Sequence, residues 1–319
     1  MTDRFLCGWR LRSAVQLPEL AAWCGENRVP DVEVQFGTVP HSLGDGRFCD
    51  SEASEVSSGT SIEIASDGTT MLTIAGIARF LVADGQRVTI ETSQPADESA
   101  IRLYLLGTVL AILSFQRGLL PLHASCLALD AGAVAIAGDS GAGKSTLAAT
   151  LALRGVTILA DDVCVVDTSA PGGPLAWPTV SRIKLWHDSL DRLGLQAAGM
   201  EQVRKGIDKY ALCEIPTFQT DPVPLAALYH ITREAGVNEE TPQAVSGIAA
   251  GKLLHRSVYR SYIGKAIGRE HNTTRALMTI LATVPVFSMS HNPNSAEMSP
   301  LPGIILEHQR HIVVPIKAS

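Results

Sequence analysis

Residues 138–146 read Gly138-Asp139-Ser140-Gly141-Ala142-Gly143-Lys144-Ser145-Thr146, a complete G-x-x-x-x-G-K-[ST] phosphate-binding loop. Upstream, Ala133-Val134-Ala135-Ile136-Ala137 is an unbroken apolar run of strand length and reads as a buried strand. Downstream, Leu147, Ala148, Leu151 and Ala152 recur at helical spacing. Arg154 and Gly155 close that helix, with a cation in its last turn and a glycine where the chain leaves it. The loop therefore joins a strand to a helix N-terminus, the context in which it can hold phosphate. Gly138, Gly141 and Gly143 let the backbone turn its N–H groups inward, and the helix end adds partial positive charge. In this pattern Lys144 reaches the β- and γ-phosphates, and the Ser145 hydroxyl ligates Mg²⁺. Such a loop reads phosphates and not the base.

Working outward, Thr157-Ile158-Leu159-Ala160 reads as the next strand, and it ends in Asp161-Asp162. Phosphoryl transfer needs a carboxylate near Mg²⁺ and often another to orient or deprotonate the nucleophile. Two adjacent acids on a strand point to opposite sides, so one is expected to face the metal and the other the acceptor hydroxyl. A base at this place needs a pKa raised by its like-charged neighbour.

The 319-residue chain is 46% apolar, enough for a large core and two domains, and its net charge of −6 disfavours a nucleic-acid role. Its six cysteines (Cys7, Cys24, Cys49, Cys126, Cys164, Cys213) are scattered without a C-x-x-C pair. They read as reduced core residues of a cytoplasmic protein, not as a disulfide set or zinc site. No signal-peptide pattern opens the chain. The apolar stretch Leu103–Phe115, bounded by Arg102 and Arg117, is too short to span a bilayer and reads as a buried helix.

Residues 1–118 read as a smaller β-rich domain. Val32–Phe36, Ser61–Ile64 and Arg87–Glu91 alternate, and Asp67-Gly68 fits a tight hairpin turn into Met71–Ile74. The polar stretch Leu43–Gly59 reads as a loop and Gln94–Asp97 as a break. A long helix over 98–116, stopping at Gly118, closes the domain. Residues 119–319 hold the phosphate loop. There a strand through His123–Leu129 turns at Asp130-Ala131-Gly132 into the loop strand, a hairpin where a βαβ crossover is usual. Further strands are expected over 181–186, 224–232 and 284–290, with helix over 250–283 interrupted near 264–272.

His123, the glycine loop, Arg154-Gly155 and Leu159-Ala160-Asp161-Asp162 together resemble the catalytic core of the bacterial HPr kinase/phosphorylases. A wider resemblance, through Leu17–Leu20, Pro30–Val34, Gly118–Ser125, Lys184–Trp186 and Leu193-Gly194, is to HPr-kinase-like proteins encoded with ribosomally made peptides, lasso-peptide tailoring kinases among them. The resemblance implies an α/β phosphate-loop core of the phosphoenolpyruvate-carboxykinase-like type. It implies ATP and Mg²⁺ as cofactors, and a serine hydroxyl on a peptide or small protein as acceptor. By it, His123 lies beside the transferred phosphate, assisting acid–base chemistry or binding phosphate. Asp161 orients or deprotonates the acceptor serine and Asp162 holds Mg²⁺, two assignments that can be exchanged. Thr146 stands where HPr kinases carry an acid, and their downstream glycine-rich signature is absent. A metabolite acceptor, or a nucleotide-binding regulator with slow turnover, stays open as an alternative. So does a homo-oligomer. Neither a membrane nor a nucleic-acid partner is expected.

A transferring phosphoryl group is usually held by further cations. Lys252, Arg256 and Arg260 fall at i, i+4 and i+8 of an expected helix, and Arg256 and Arg260 are the candidate clamps for nucleotide phosphates or an acidic acceptor. Arg204–Tyr210 is a Gly-interrupted basic segment suited to a lid or to an ordinary loop. In His187-Asp188-Ser189 the polar residues read as a helix cap.

Overall fold

The computed structural model describes residues 1–48, 59–93, 96–180, 182–204, 206–213, 219–235, 241–292 and 300–311. It shows a mixed α/β chain of several sheets and few helices. Most of the expected loop over 43–59, Gln94 and Pro95 of the expected break, Ser181, Lys205 and Cys49 lie outside the described residues.

The first sheet comprises β1 (Thr2–Leu6), β2 (Trp9–Ser13), β3 (Val32–Phe36), β4 (Arg47–Phe48), β5 (Thr60–Ile64), β6 (Thr70–Ile74), β7 (Ala78–Ala83) and β8 (Arg87–Thr92). Its order is β1-β2-β3-β8-β7-β6-β5-β4. Strand alternation sets its buried face: Val32 and Val34 of β3 are buried while Glu33 and Gln35 are exposed. The β5–β6 turn is wider than the Asp67-Gly68 pair suggests, because Ile64 pairs with Thr70 and Ala65 N–H bonds the Thr69 carbonyl.

A single helical run over Glu98–Gln116 follows, long and apolar enough to cross a membrane but with 78% of its apolar window buried inside the protein. It exceeds the apolar stretch Leu103–Phe115 at both ends. Asp97 caps it by accepting from Ala100 N–H, and Gly118 leaves it at φ +77°. Its parts are α1 (Glu98–Tyr104), a π-helical turn over Leu105–Val109, and α2 (Leu110–Gln116).

The central sheet is built from β9 (Leu120–Leu122), β10 (Ala124–Leu129), β11 (Gly132–Ala137), β12 (Thr157–Ala160), β13 (Cys164–Asp167) and β14 (Leu175–Trp177), joined later by β18 (Val223–Arg233), β19 (Gln243–Val245) and β20 (Val286–His291). Between them, β15 (Ile183–Trp186), β16 (Glu201–Gln202) and β17 (Lys209–Leu212) make a small sheet in the order β15-β17-β16. The β10–β11 hairpin pairs antiparallel from Leu129↔Gly132 to Ala124↔Ala137, and β11 runs parallel to β18, which runs parallel to β20. The C-terminal ends of three parallel strands thus gather around the glycine loop, where α/β sheets commonly bind ligands. The remaining helices are α3 (Lys144–Leu153), α4 (His187–Arg192), α5 (Gly247–Arg256), α6 (Ser261–Ala266), α7 (Glu270–Thr283) and α8 (Leu301–His311).

One buried apolar cluster runs from Leu6 and Phe80 of the first sheet, through Ile101, Leu110 and Phe115 of the long helix, to Leu122, Val165 and Leu228 of the central sheet. A second lies on the opposite face, where Leu147 and Leu151 of α3 meet Ile136, Tyr229 and Ile305. Among the described cysteines Cys7, Cys126 and Cys164 are buried free thiols, whereas Cys24 and Cys213 are exposed rather than in the core.

Candidate active site

The glycine loop leaves β11 and enters α3 at Lys144. Gly138 sits at φ +152°, and a Cβ there would stand 2.4 Å from the Ile231 carbonyl oxygen of β18. Only glycine lets the loop pass so close to the neighbouring strand. Lys144 is 7% exposed. Its ammonium donates to the Gly138 and Asp139 carbonyls at 2.8 and 3.1 Å. Burial lowers its pKa, an effect that Asp162 and Asp161 offset in part. A desolvated cation resting on carbonyls is a ready receptor for phosphate oxygens. From the other side His291, at the end of β20, hydrogen-bonds the Ala142 carbonyl through Nε2 at 2.8 Å and fixes the loop's outer limb.

Ser145 Oγ donates to Asp161 Oδ1 at 2.9 Å. Ser125 Oγ of β10 donates to the same oxygen at 2.8 Å, and the Lys184 backbone N–H of β15 donates to Oδ2 at 2.9 Å. Asp161 is 3% exposed, so these three bonds hold it in one orientation.

Asp162 diverges from it, but not by strand alternation. Both acids lie past the end of β12, and Asp162 takes φ +75°, which kinks the chain between them. Its carboxylate meets the Lys184 ammonium at Oδ2 and His123 Nδ1 at 3.3 Å through Oδ1. Burial pushes its pKa up, yet the Lys184 charge and the His123 contact outweigh that and leave it well below the usual carboxylate range. This corrects the expectation of a base tuned upward by its acidic neighbour: the neighbour that dominates is a cation.

His123 is not within a strand. It forms the corner between β9, which pairs with β13, and β10, which pairs with β11 and β12. Its N–H bonds the Ser257 carbonyl at 2.6 Å, and Nδ1 also faces the Asp162 carbonyl at 3.1 Å. The ring packs edge-on against Tyr259, 5.7 Å between centroids.

His123, Ser140, Gly141, Gly143, Lys144, Ser145, Thr146, Asp161 and Asp162 line one open cleft of about 1560 Å³. The cleft extends past the π-helical turn on one wall and past Trp186 and Lys209 on another. Lys209, the next-to-last residue of the basic segment, begins β17, its ammonium 5.5 Å above the Trp186 ring. Burial and the Lys184 charge lower its pKa, against the opposing pull of Asp161 and Asp162.

The expected basic stripe does not form. Helix α5 stops at Arg256, and Ser257 caps its end. Arg260 lies three residues beyond that cap in a left-handed conformation, φ +45°, and lines the cleft. Arg256 instead pairs with Asp139 at 3.0 Å on the exposed side of the loop. Neither Asp188 nor Ser189 caps α4. Its N-cap position is Trp186, with no side-chain bond, while Ser189 Oγ accepts from Thr146 Oγ1 at 3.0 Å. Sequence reasoning flagged Lys209 only within the basic Arg204–Tyr210 segment, and it missed Ser125, Lys184, Tyr259 and His291 as site residues. No local pattern marks them, because each is brought in by a separate strand or turn.

No protein-family model matches the chain, and no curated protein matches it. Among solved structures it is similar to the HPr(Ser) kinase/phosphatase from Coxiella burnetii, at 12% identity over 60% of this chain and 90% of that one, with a TM-score of 0.34. A likeness of that size carries no functional argument, and the chemistry has to be read from the site itself.

Proposed function

We propose that the chain is an ATP- and Mg²⁺-dependent phosphotransferase with a serine hydroxyl of a peptide or small protein as acceptor. The observation that carries this reading is the shared oxygen of Asp161, which takes the hydroxyl of the loop serine Ser145 at 2.9 Å. A hydroxyl and a carboxylate set side by side beneath a phosphate loop suit Mg²⁺, which is commonly held by one or two carboxylates together with substrate phosphates. Among the described residues no group of three or more His, Cys, Asp or Glu could hold a metal by itself, so the phosphates would supply the remaining ligands. Mg²⁺ there would neutralise charge building on the β- and γ-phosphates.

Of the two exchangeable assignments, the geometry supports Asp161 at the metal and Asp162 at the acceptor. Lys144 exchanges its carbonyl partners for phosphate oxygens. The acceptor oxygen attacks the γ-phosphorus, the bond to the β-bridging oxygen breaks, and the nucleoside diphosphate leaves. Asp162, held ionised, accepts the hydroxyl's hydrogen bond and takes its proton late, which a loose transition state permits. His123 buttresses Asp162, and Lys209 supplies charge toward the transferring group.

Within this reading residues 119–319 form an HPr-kinase-like catalytic domain, and the β-rich residues 1–118 position the acceptor. The resemblance of the sequence to lasso-peptide tailoring kinases makes a ribosomal precursor peptide the first acceptor to try. The test is mass spectrometry of serine-containing precursor peptides incubated with the protein, ATP and Mg²⁺, beside an Asp161→Asn control. A gain of one phosphate that disappears in the control supports the reading. Transfer to free metabolites but to no peptide replaces the acceptor class, and nucleotide binding without transfer leaves a regulator.

A further inference from the structure

Near the candidate site, three basic side chains have oxygen partners that the fold itself supplies. Lys144 rests on the Gly138 and Asp139 carbonyls, Lys184 on Asp162, and Arg256 on Asp139. Arg260 differs in that its oxygen partner is a hydroxyl and not a carbonyl or carboxylate: its Nη1 donates to the Tyr262 hydroxyl at 3.0 Å, and its guanidinium lies 5.7 Å over the Tyr259 ring. Among the described residues no carboxylate stands within ion-pair distance of it. A guanidinium is permanently charged and offers five donors in a planar fork suited to a carboxylate or phosphate.

Its backbone is held out of the ordinary range. At φ +45° Arg260 is one of four non-glycine residues with positive φ among those described, and another of them is Asp162. A long side chain seldom occupies that region, and such outliers concentrate at functional sites. The left-handed turn between α5 and α6 brings this side chain into the lining of the cleft, to which the π-helical turn contributes Gly107 and Thr108, the Thr108 hydroxyl 3.5 Å from that of Tyr259. Irregular helical turns of that kind also favour functional sites.

Arg260 is joined to one of the two acids by a line of contacts. It stacks on Tyr259, Tyr259 packs on His123, and His123 contacts Asp162. That line leads to the acid assigned above to the acceptor. We infer that Arg260 anchors an anionic group carried by the acceptor close to the hydroxyl that is phosphorylated. The inference rests on the phosphotransferase reading. The shared chemistry is a carboxylate, from an acidic side chain near the serine or from the end of the peptide.

The test uses the full chain with ATP and Mg²⁺ and three matched serine peptides: one with an aspartate beside the serine and an amidated end, one neutral with a free terminal carboxylate, and one neutral and amidated. Wild type should show kcat/KM at least tenfold higher for one of the carboxylate-bearing peptides than for the fully neutral one, and the preferred peptide identifies the source. Arg260→Gly suits φ +45° and so removes the guanidinium without adding strain. It should raise KM for the preferred peptide tenfold or more and flatten the preference. Arg260→Lys should restore part of it, and Arg260→Glu should favour a lysine-flanked peptide. Nucleotide affinity, read by fluorescent-nucleotide titration, should stay within twofold in Arg260→Gly.

Equal kcat/KM for the three peptides in wild type overturns the inference. So does a preference that survives Arg260→Gly, or a loss that tracks nucleotide affinity. If wild type binds no nucleotide at all, the phosphotransferase reading itself has failed.

Discussion

Asp161 makes more of the site than any other residue, because one carboxylate orders two hydroxyls and a backbone N–H. In Asp161→Asn an amide N–H₂ group replaces one acceptor and meets a donor. Phosphate transfer should fall by on the order of 10³-fold, comparable to losing a preorganised polar group in an active site. Steady-state rates measured with saturating nucleotide test this, and a loss under tenfold would remove Asp161 from the centre. Lys144 gives the opposite stability signature. Its ammonium is buried and its pKa is lowered by that burial, so its charge costs the ligand-free protein free energy. Lys144→Met should leave the apo melting midpoint unchanged or raised while abolishing the stabilisation that nucleotide gives wild type, about 2.7 kcal/mol at a hundredfold excess over Kd. A lower apo midpoint would refute the functional explanation of this lysine. Asp162 supplies a pH test. Its folded pKa lies below the unfolded value of about 3.9. Its ionised form therefore stabilises the fold above about pH 4, and that contribution disappears as pH falls through the folded pKa. Asp162→Asn should be less stable than wild type at pH 7 and pH 5, with the gap closing toward pH 3. Urea unfolding at the three values decides it, and a gap that does not change with pH would contradict the assignment.

Elements place these residues by close approach, and α6 is the clearest instance. A Cβ on Gly264 would stand 2.7 to 3.1 Å from ring atoms of Phe115, which is buried in the core and has no free direction to move. Gly264→Ala should cost about 1–3 kcal/mol by denaturant unfolding. At Gly107 a Cβ would meet only the Tyr259 hydroxyl at 3.8 Å, an ordinary contact, so Gly107→Ala should cost less than Gly264→Ala. Legibility in the sequence divides along the same physical line. Elements whose signal is local were readable: β3 by alternation, the β10–β11 hairpin by Asp130-Ala131-Gly132, and α3 by its spacing and Gly155. The β1–β2 hairpin was not. Its two-residue turn places Cys7 at φ +52° before Gly8, and cysteine is no turn former, so burial against the core overrides local preference there. The 250–283 helix was read as interrupted near 264–272, and it does break there, between α6 and α7, but it also breaks earlier, at Ser257–Arg260. The His123 N–H and the Tyr259 N–H there bond the carbonyls of Ser257 and Pro121, pairings distant in sequence that no periodicity records. The glycine loop and both aspartates could be found from spacing alone. Lys184, Ser125 and His291 could not, because the sheet order that delivers them is a property of the whole chain.

At the scale of the molecule, a buried charge network ties the N-terminal region to the wall of the cleft. Glu19 Oε1 receives Arg102 Nε of α1 at 2.9 Å and Arg182 Nη1 at 2.6 Å, and Arg102 also meets Glu201 of β16. Glu19, Arg102 and Arg182 are all under 9% exposed. Arg182 immediately precedes β15, whose Lys184 donates its backbone N–H to Asp161 and its ammonium to Asp162. Displacing this knot therefore disturbs both acids. Removing the Glu19 charge leaves buried Arg182 without that partner and Arg102 with Glu201 alone, which is far more costly than replacing the whole set. Glu19→Gln should destabilise by about 3–5 kcal/mol, whereas combining Glu19→Leu, Arg102→Met and Arg182→Leu should recover most of that loss. Because one apolar cluster spans the first sheet, the long helix and the central sheet, unfolding should remain a single transition in wild type. The triple replacement then separates two roles. If the network serves stability alone, phosphate transfer should return along with the melting midpoint. If it also aims Lys184 at the two aspartates, the midpoint should recover while kcat stays depressed, and that second outcome is the one the placement of Arg182 beside β15 leads us to expect.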